Sequence, residues 1–220
     1  MWYQHGVRIL AVFAAAALVG TGCGGAPEPG TAATPTTAGV IDPVRIDRAR
    51  AGLPAGYEVT DAAGRHAPSA QWGFRDGWIA DPPVCGVLAD PGAAAATGWS
   101  ASGPGGIVFA VVADFPAHPD EQVLAGCDRW TLTGGRTTGA VVATPGPPID
   151  GATTVAMSAA ATTVVEGGTE TRSHAETVSA YLDDHVVVVT VVTDPGAADP
   201  QLGPDFAAGL IAKTVAELRG

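Results

Sequence analysis

The chain has 220 residues, enough for one domain with a substantial core. It carries 22 acidic residues against 11 lysines and arginines, a formal net charge of −11. An acidic surface is repelled by phosphate backbones and anionic headgroups, which argues against nucleic-acid binding and against electrostatic attachment to a membrane.

Arg8 precedes an apolar run from Ile9 to Val19. The run is too short for a spanning helix, which needs roughly 20 residues, and suits the core of a signal peptide. Gly20, Thr21 and Gly22 then lead to Cys23. The arrangement resembles a bacterial lipoprotein signal, in which that cysteine is cleaved to the new N-terminus and acylated. An ordinary secretory signal or an uncleaved anchor is the alternative, because Gly20 stands where lipoprotein signals carry an aliphatic residue. Residues 1–22 are therefore expected to be a signal peptide and Cys23 the lipidation site. Two or three acyl chains hold a membrane where a single chain binds only marginally.

From Cys23 to Asp42 the chain is Gly-, Pro-, Thr- and Ala-rich, without periodicity. Such a segment buries too little apolar surface to offset its chain entropy and reads as a flexible tether. The domain is expected from Pro43 to Gly220. If Cys23 is lipidated, Cys85 and Cys127 remain as an even pair. In an oxidising compartment an even pair reads as a disulfide.

Pro43 to Ala51 predicts a short helix, and Tyr57 to Thr60 starts a strand. Asp61 to Ala80 reads as irregular and holds Trp72, Phe74 and Trp78. Asp81-Pro82-Pro83 predicts a helix start, with Asp81 as N-cap and proline in the first turn. Gly98 to Ser102 is a short polar and aromatic segment. The apolar run Ile107 to Val112 predicts a strand covered on both faces. Asp120 and Glu121 open a helix that ends near Cys127. Trp130 to Thr133 and Thr138 to Ala143 pair around Gly134-Gly135. From Thr153 to Val165 a strand is predicted, with Val155, Met157, Ala159, Ala161 and Val165 on one face. A second strand runs to Leu182, a turn follows at Asp183-Asp184, and the Val-rich run His185 to Thr193 completes a meander. A last helix starts at Gly203-Pro204-Asp205, with a wide stripe through Phe206, Leu210, Thr214 and Leu218 and through Ala207, Ile211 and Val215. The predicted fold class is α+β: an antiparallel sheet of about five to six strands, helices on one face, and one disulfide.

Chemistry-bearing patterns are sparse. Gly98-Trp99-Ser100-Ala101-Ser102 approaches a nucleophile elbow, but its fifth residue is not glycine and a strand follows where a helix is required. His66, His118, His174 and His185 form no helical metal-binding pair. No phosphate-binding loop or dinucleotide glycine pattern occurs, so neither a cofactor nor a metal is expected. Trp72, Trp78, Trp99 and Trp130 gather near the cysteines in sequence. They fit either a ligand-binding surface or a hydrophobic cluster packed over the disulfide.

Leu53-Pro54-Ala55-Gly56-Tyr57-Glu58-Val59, Trp72-Gly73-Phe74, Gly77-Trp78, Asp81-Pro82-Pro83-Val84-Cys85 and Gly98-Trp99-Ser100-Ala101-Ser102-Gly103-Pro104-Gly105-Gly106 resemble a mycobacterial lipoprotein family of unknown function. The layout is also distantly similar to the extracytoplasmic sensor domain of mycobacterial receptor Ser/Thr kinases. That domain is an α+β sheet with a cleft and two disulfides, whereas Cys85 and Cys127 supply one. The expected function is a lipid-anchored envelope protein on the extracytoplasmic face of the membrane. Its domain would bind an envelope ligand or protein partner without catalysis. The alternatives are a cell-wall or lipid hydrolase with an unrecognised site, and a structural or antigenic surface lipoprotein.

Overall fold

The computed structural model describes residues 39–64, 67–93, 96–196 and 201–220. Cys23, the signal peptide and most of the tether lie outside them. The described chain begins against the last helix, α4 (Pro204–Arg219). Asp42 donates its backbone N–H to the Leu218 carbonyl at 2.9 Å. Its carboxylate accepts from the Val44 N–H at 3.2 Å and caps a 3-10 helix, Pro43–Gly52. That segment is the predicted first helix in a tighter form, with Ile46 and Ala49 buried beneath it.

Nine strands make one antiparallel sheet among the described residues. They are β1 (Glu58–Gly64), β2 (Ile79–Asp81), β3 (Ala96–Gly103), β4 (Gly106–Asp114), β5 (Arg129–Gly134), β6 (Thr137–Pro145), β7 (Thr153–Val164), β8 (Glu170–Tyr181) and β9 (His185–Thr193). Their order is β1-β3-β4-β9-β8-β7-β6-β5-β2. The expected β7-β8-β9 meander and β5-β6 hairpin form as read. The predicted count of five to six strands is corrected to nine. β3 is built of small residues around Trp99, and β2 is only three residues long. Neither carries the apolar alternation by which strands are recognised.

The sheet is covered on both faces, where helices on one face were expected. On one face, α4 and Pro43–Gly52 pack on Trp99, Val108, Ala110, Val178, Val187 and Val189. On the other, the short helices α1 (Pro68–Gln71) and α2 (Gly86–Ala89) and the disulfide pack on Val111, Trp130, Val155, Met157 and Val188. Consecutive residues of β4 and β9 therefore serve opposite cores, which is why those strands read as unbroken apolar runs.

Asp81 is not an N-cap. It ends β2, and Pro83–Cys85 forms a 3-10 turn that runs into α2 without a side-chain cap. A helix does open at Asp120, whose carboxylate accepts from the Gln122 N–H at 2.7 Å and starts α3 (Glu121–Gly126). Cys85 and Cys127 are bonded, with Cα atoms 5.5 Å apart.

Gly98 lies in the middle of β3, opposite Val111. A Cβ there would overlap the Ala110 carbonyl oxygen and come within 2.7 Å of the Val111 Cα. The glycine is thus a close-approach residue, and Ser100 is an ordinary strand residue paired with Thr60 and Phe109 rather than the apex of an elbow. Gly98→Ala should destabilise the domain by about 2 kcal/mol, the usual scale for overpacking. For a domain of this size that is about 4–8 °C in Tm. Ser100→Ala on the same strand should change little. Thermal melts of the two variants check the contrast, and equal melting temperatures would refute the close-approach reading.

Candidate functional site

The four tryptophans do not converge. Trp99 is fully buried in the α4 core, where its Nε1 donates to the Ile46 carbonyl at 3.1 Å. Trp72 and Trp130 lie buried in the opposite core with ring centroids 6.2 Å apart. Trp72 Nε1 donates to Thr177 Oγ1 at 2.9 Å, and Thr177 bonds Thr190 at 3.0 Å, so a buried polar chain crosses β8 and β9. Trp78 is half-buried against that same core. Strand parity separates Trp99 on β3 from Trp130 on β5, because side chains point alternately to the two faces.

Two histidines have acidic partners. On the α4 face, His174 Nε2 lies 2.7 Å from Glu176 Oε1 and 3.4 Å from Ser158 Oγ. A Ser-His-acid relay needs the serine on one ring nitrogen and the acid on the other. Here both contacts fall on Nε2, so the set lacks that relay geometry. His185, buried at the start of β9, has Nδ1 2.5 Å from Asp184 and Nε2 3.2 Å from Asp114. It bridges the β8–β9 turn to the end of β4. His118 is exposed, and His66 lies outside the described residues. Among the described residues no three ligand-type side chains form a metal-binding group. Tyr181 sits buried beside Phe115, and burial pushes its hydroxyl up to about 12. Burial also raises the Tyr57 hydroxyl above its ordinary value.

A groove of about 450 Å³ opens at one end of the sheet. One wall is the β3–β4 hairpin tip, Gly103 to Ile107; the other is the start of β8; Val192 and Thr193 lie between them. None of the four tryptophans lines it. The groove follows from unequal strand lengths. β8 has 12 residues and β9 has 9. Their pairing starts only at His174 with Thr193, so Glu170 to Ser173 pair with β7 alone among the described residues. Thr193 Oγ1 points at the His174 carbonyl from 3.5 Å and marks the end of the ladder.

The hairpin tip is packed from below. The Tyr57 ring lies beneath it, and its hydroxyl accepts from the Gly105 N–H at 3.1 Å. A Cβ on Gly103 would meet that ring at 2.6 Å, and Gly106 has φ +128° with the Val192 carbonyl against it. The Gly-Pro-Gly-Gly string is thus the shape of one groove wall. Glycine removes the Cβ that would collide, and at Gly106 it also permits a backbone other residues rarely adopt.

The opposite end of the sheet receives the chain. Gly39, Val40 and Ile41 lie by Leu182, Asp183, Asp184 and Arg219. The groove was not predicted from sequence. Its only signal was the polar start of β8, Glu170-Thr171-Arg172-Ser173, beside a Val-rich partner that stops at Thr193.

A family model described as a domain of unknown function (DUF5642) matches residues 42–219. Among solved structures, the X-ray structure of an uncharacterised protein from Mycobacterium smegmatis, the Rv0999 ortholog, is similar with a TM-score of 0.60. The two share 18% sequence identity over 82% of this chain and 98% of that one, a likeness of fold. No curated protein matches.

Proposed function

The chain belongs to the DUF5642 family of domains of unknown function, and from that premise we propose that it is a lipid-anchored envelope protein whose domain binds a ligand or partner without catalysing a reaction. The observation that carries the binding half is the groove at the β3–β4 tip. It lies at the end of the sheet away from Gly39–Ile41, where the chain arrives. The anchoring half is supported by the lipoprotein-like context of Cys23 and by the family match beginning at residue 42, where the tether ends. Among the described residues no helix is long and apolar enough to cross a membrane. The likeness to mycobacterial lipoproteins and to kinase sensor domains belongs with this proposal.

The anchor is tested by labelling cells with an alkyne fatty acid. Wild-type protein should carry label and partition into detergent, and Cys23→Ala should do neither. An unlabelled wild-type protein would remove the anchor from the proposal. The binding half is tested by titrating the ¹⁵N-labelled protein with muropeptides, envelope lipids and short peptides. Binding should shift amides at Gly105–Ile107, Thr171–Ser173 and Val192–Asp194 and leave the added compound chemically unchanged. Turnover of the compound, or shifts confined elsewhere, would overturn it.

A further inference from the structure

We infer that two copies of this chain join edge to edge through β1, antiparallel about a two-fold axis, so that their sheets run on as one. The two edges of the sheet are unlike. β2 is three residues long and is followed by Pro82 and Pro83, and both shortness and proline blunt an edge. β1 is seven residues long, contains neither proline nor lysine, and pairs with β3 alone. Its residues 58–61 are exposed. Alternate residues turn their N–H and C=O groups away from β3, and no described residue takes them. Residues 65–66 and 94–95 adjoin this edge, but each pair must join described chain on both sides. Two residues reach about 7 Å, too little to run back along the strand. An uncovered edge of this length is a template for another strand.

The side chains of the edge are self-complementary. A two-fold axis normal to the sheet reverses the strand and keeps its faces, so opposed residues share a face. Ala62 is buried in the core that holds Trp72, which puts Thr60 and Glu58 on that side of β1. Val59 and Asp61 lie on the other side, where Asp61 pairs with Arg50 at 2.7 Å. Each copy carries a formal charge of −11, and a register that opposes Asp61 to Asp61 is destabilised by like charge. Centring the axis on Thr60 sets Thr60 against Thr60, Val59 against Asp61 and Glu58 against Ala62. No acid then faces an acid, and the central pair is two hydroxyls, a favourable cross-strand match. The same axis leaves α4 and Pro43–Gly52 of both copies on one side of the joined sheet. A pairing over residues 58–62 is small beside a standard interface of roughly 20–30 residues a side. The dimer therefore forms where copies share a surface and their effective concentration is high. For that concentration, and for nothing else, the inference rests on the proposed anchor.

The test uses the full-length chain with Thr60→Cys, in phosphatidylcholine vesicles and in concentrated solution. Ile79→Cys is the control, at a residue 69% exposed on the opposite edge of the sheet, and the wild-type chain gives the background. Cys85 and Cys127 are already bridged. Directly opposed residues have Cβ atoms about 4.5–5.5 Å apart, close to disulfide geometry. Mild oxidation should link Thr60→Cys copies at least about tenfold faster than Ile79→Cys copies, because pairing raises the effective concentration of the two thiols. Non-reducing gels read the ratio. Thr60→Lys and Thr60→Glu each set like charges face to face. Either alone should associate several-fold more weakly than wild type, with Tm nearly unchanged because the side chain is exposed. An equimolar mixture of the two should recover the association, read by energy transfer between labelled copies. Equal cross-linking at the two edges would overturn the inference, and so would a mixture no stronger than either variant alone. A chain that stays off the vesicles but keeps the tenfold ratio in solution fails the anchor and not the pairing. A chain that binds vesicles and shows no difference between the edges fails the pairing and not the anchor.

Discussion

Replacing Cys85 and Cys127 together by alanine will lower the melting temperature by about 8–16 °C. The bridge joins residues 42 apart in sequence. Closing a loop of that length constrains the unfolded chain by roughly 4 kcal/mol on the entropy model. A domain of this size loses about 2–4 °C per kcal/mol. Both cysteines are buried, at 0% and 1% exposure, so the bond also lies within the core that holds Trp72 and Trp130. The loss should be uneven. α3 has no buried residue of its own and depends on Val123, Leu124 and its bridged C-terminal neighbour. Amide exchange at Glu121–Gly126 should therefore accelerate more than at α4. Scanning calorimetry and hydrogen exchange under non-reducing conditions check both effects. A Tm within about 3 °C of wild type would mean that the bond does little to constrain the unfolded chain.

Some of this fold was legible because local pattern and tertiary role agree. Val155, Met157, Ala159 and Ala161 are one buried face of β7, with Val165 exposed beyond its end, and the α4 stripe is buried from Ala207 to Leu218 with Phe206 half-buried at its start. Other parts were hidden because pairing is non-local. β2 exists only because β5 supplies its partner from 54 residues away, through Ile79 with Thr133. Asp81 reads as a helix cap from its neighbours, but that pairing claims it for a strand. The tryptophans looked like one group because they are near the cysteines in sequence. Parity then sends Trp99 to one core and Trp130 to the other.

The groove shows the same limit at a finer scale. The lengths of β8 and β9 could be read separately, but not that Thr193 meets His174 and leaves Arg172 beyond the ladder. Register sets which backbone groups are free, and register depends on the turn at Asp183-Asp184 and on the packing of two faces. The glycines of the hairpin tip were conspicuous in sequence, yet their reason lies in Tyr57, Leu202 and Val192, which approach from elsewhere in the chain.

Trp99→Ala will be the most damaging of the tryptophan truncations, at about 3–5 kcal/mol. The ring is fully buried, and its Nε1 holds the Ile46 carbonyl of the 3-10 segment Pro43–Gly52. Truncation removes a large packed volume between β3 and that segment and leaves a buried carbonyl without its donor. Trp99→Phe should cost less, since most of the ring volume stays and mainly the hydrogen bond is lost. Trp78→Ala, at a half-buried ring on the edge of the other core, should cost less still. Urea denaturation gives the three values. A shared ligand surface would give the opposite order, with binding lost and stability kept at all four rings. A packing role gives stability losses that follow burial, with the loosening of Pro43–Gly52 specific to Trp99. Since α4 packs on the same segment and Asp42 is tied to Leu218, a frayed Pro43–Gly52 would also lengthen whatever tether precedes it. The Trp99→Ala variant should thus show faster amide exchange at Ile46–Arg50 while the slower core of β9 keeps its order until global unfolding.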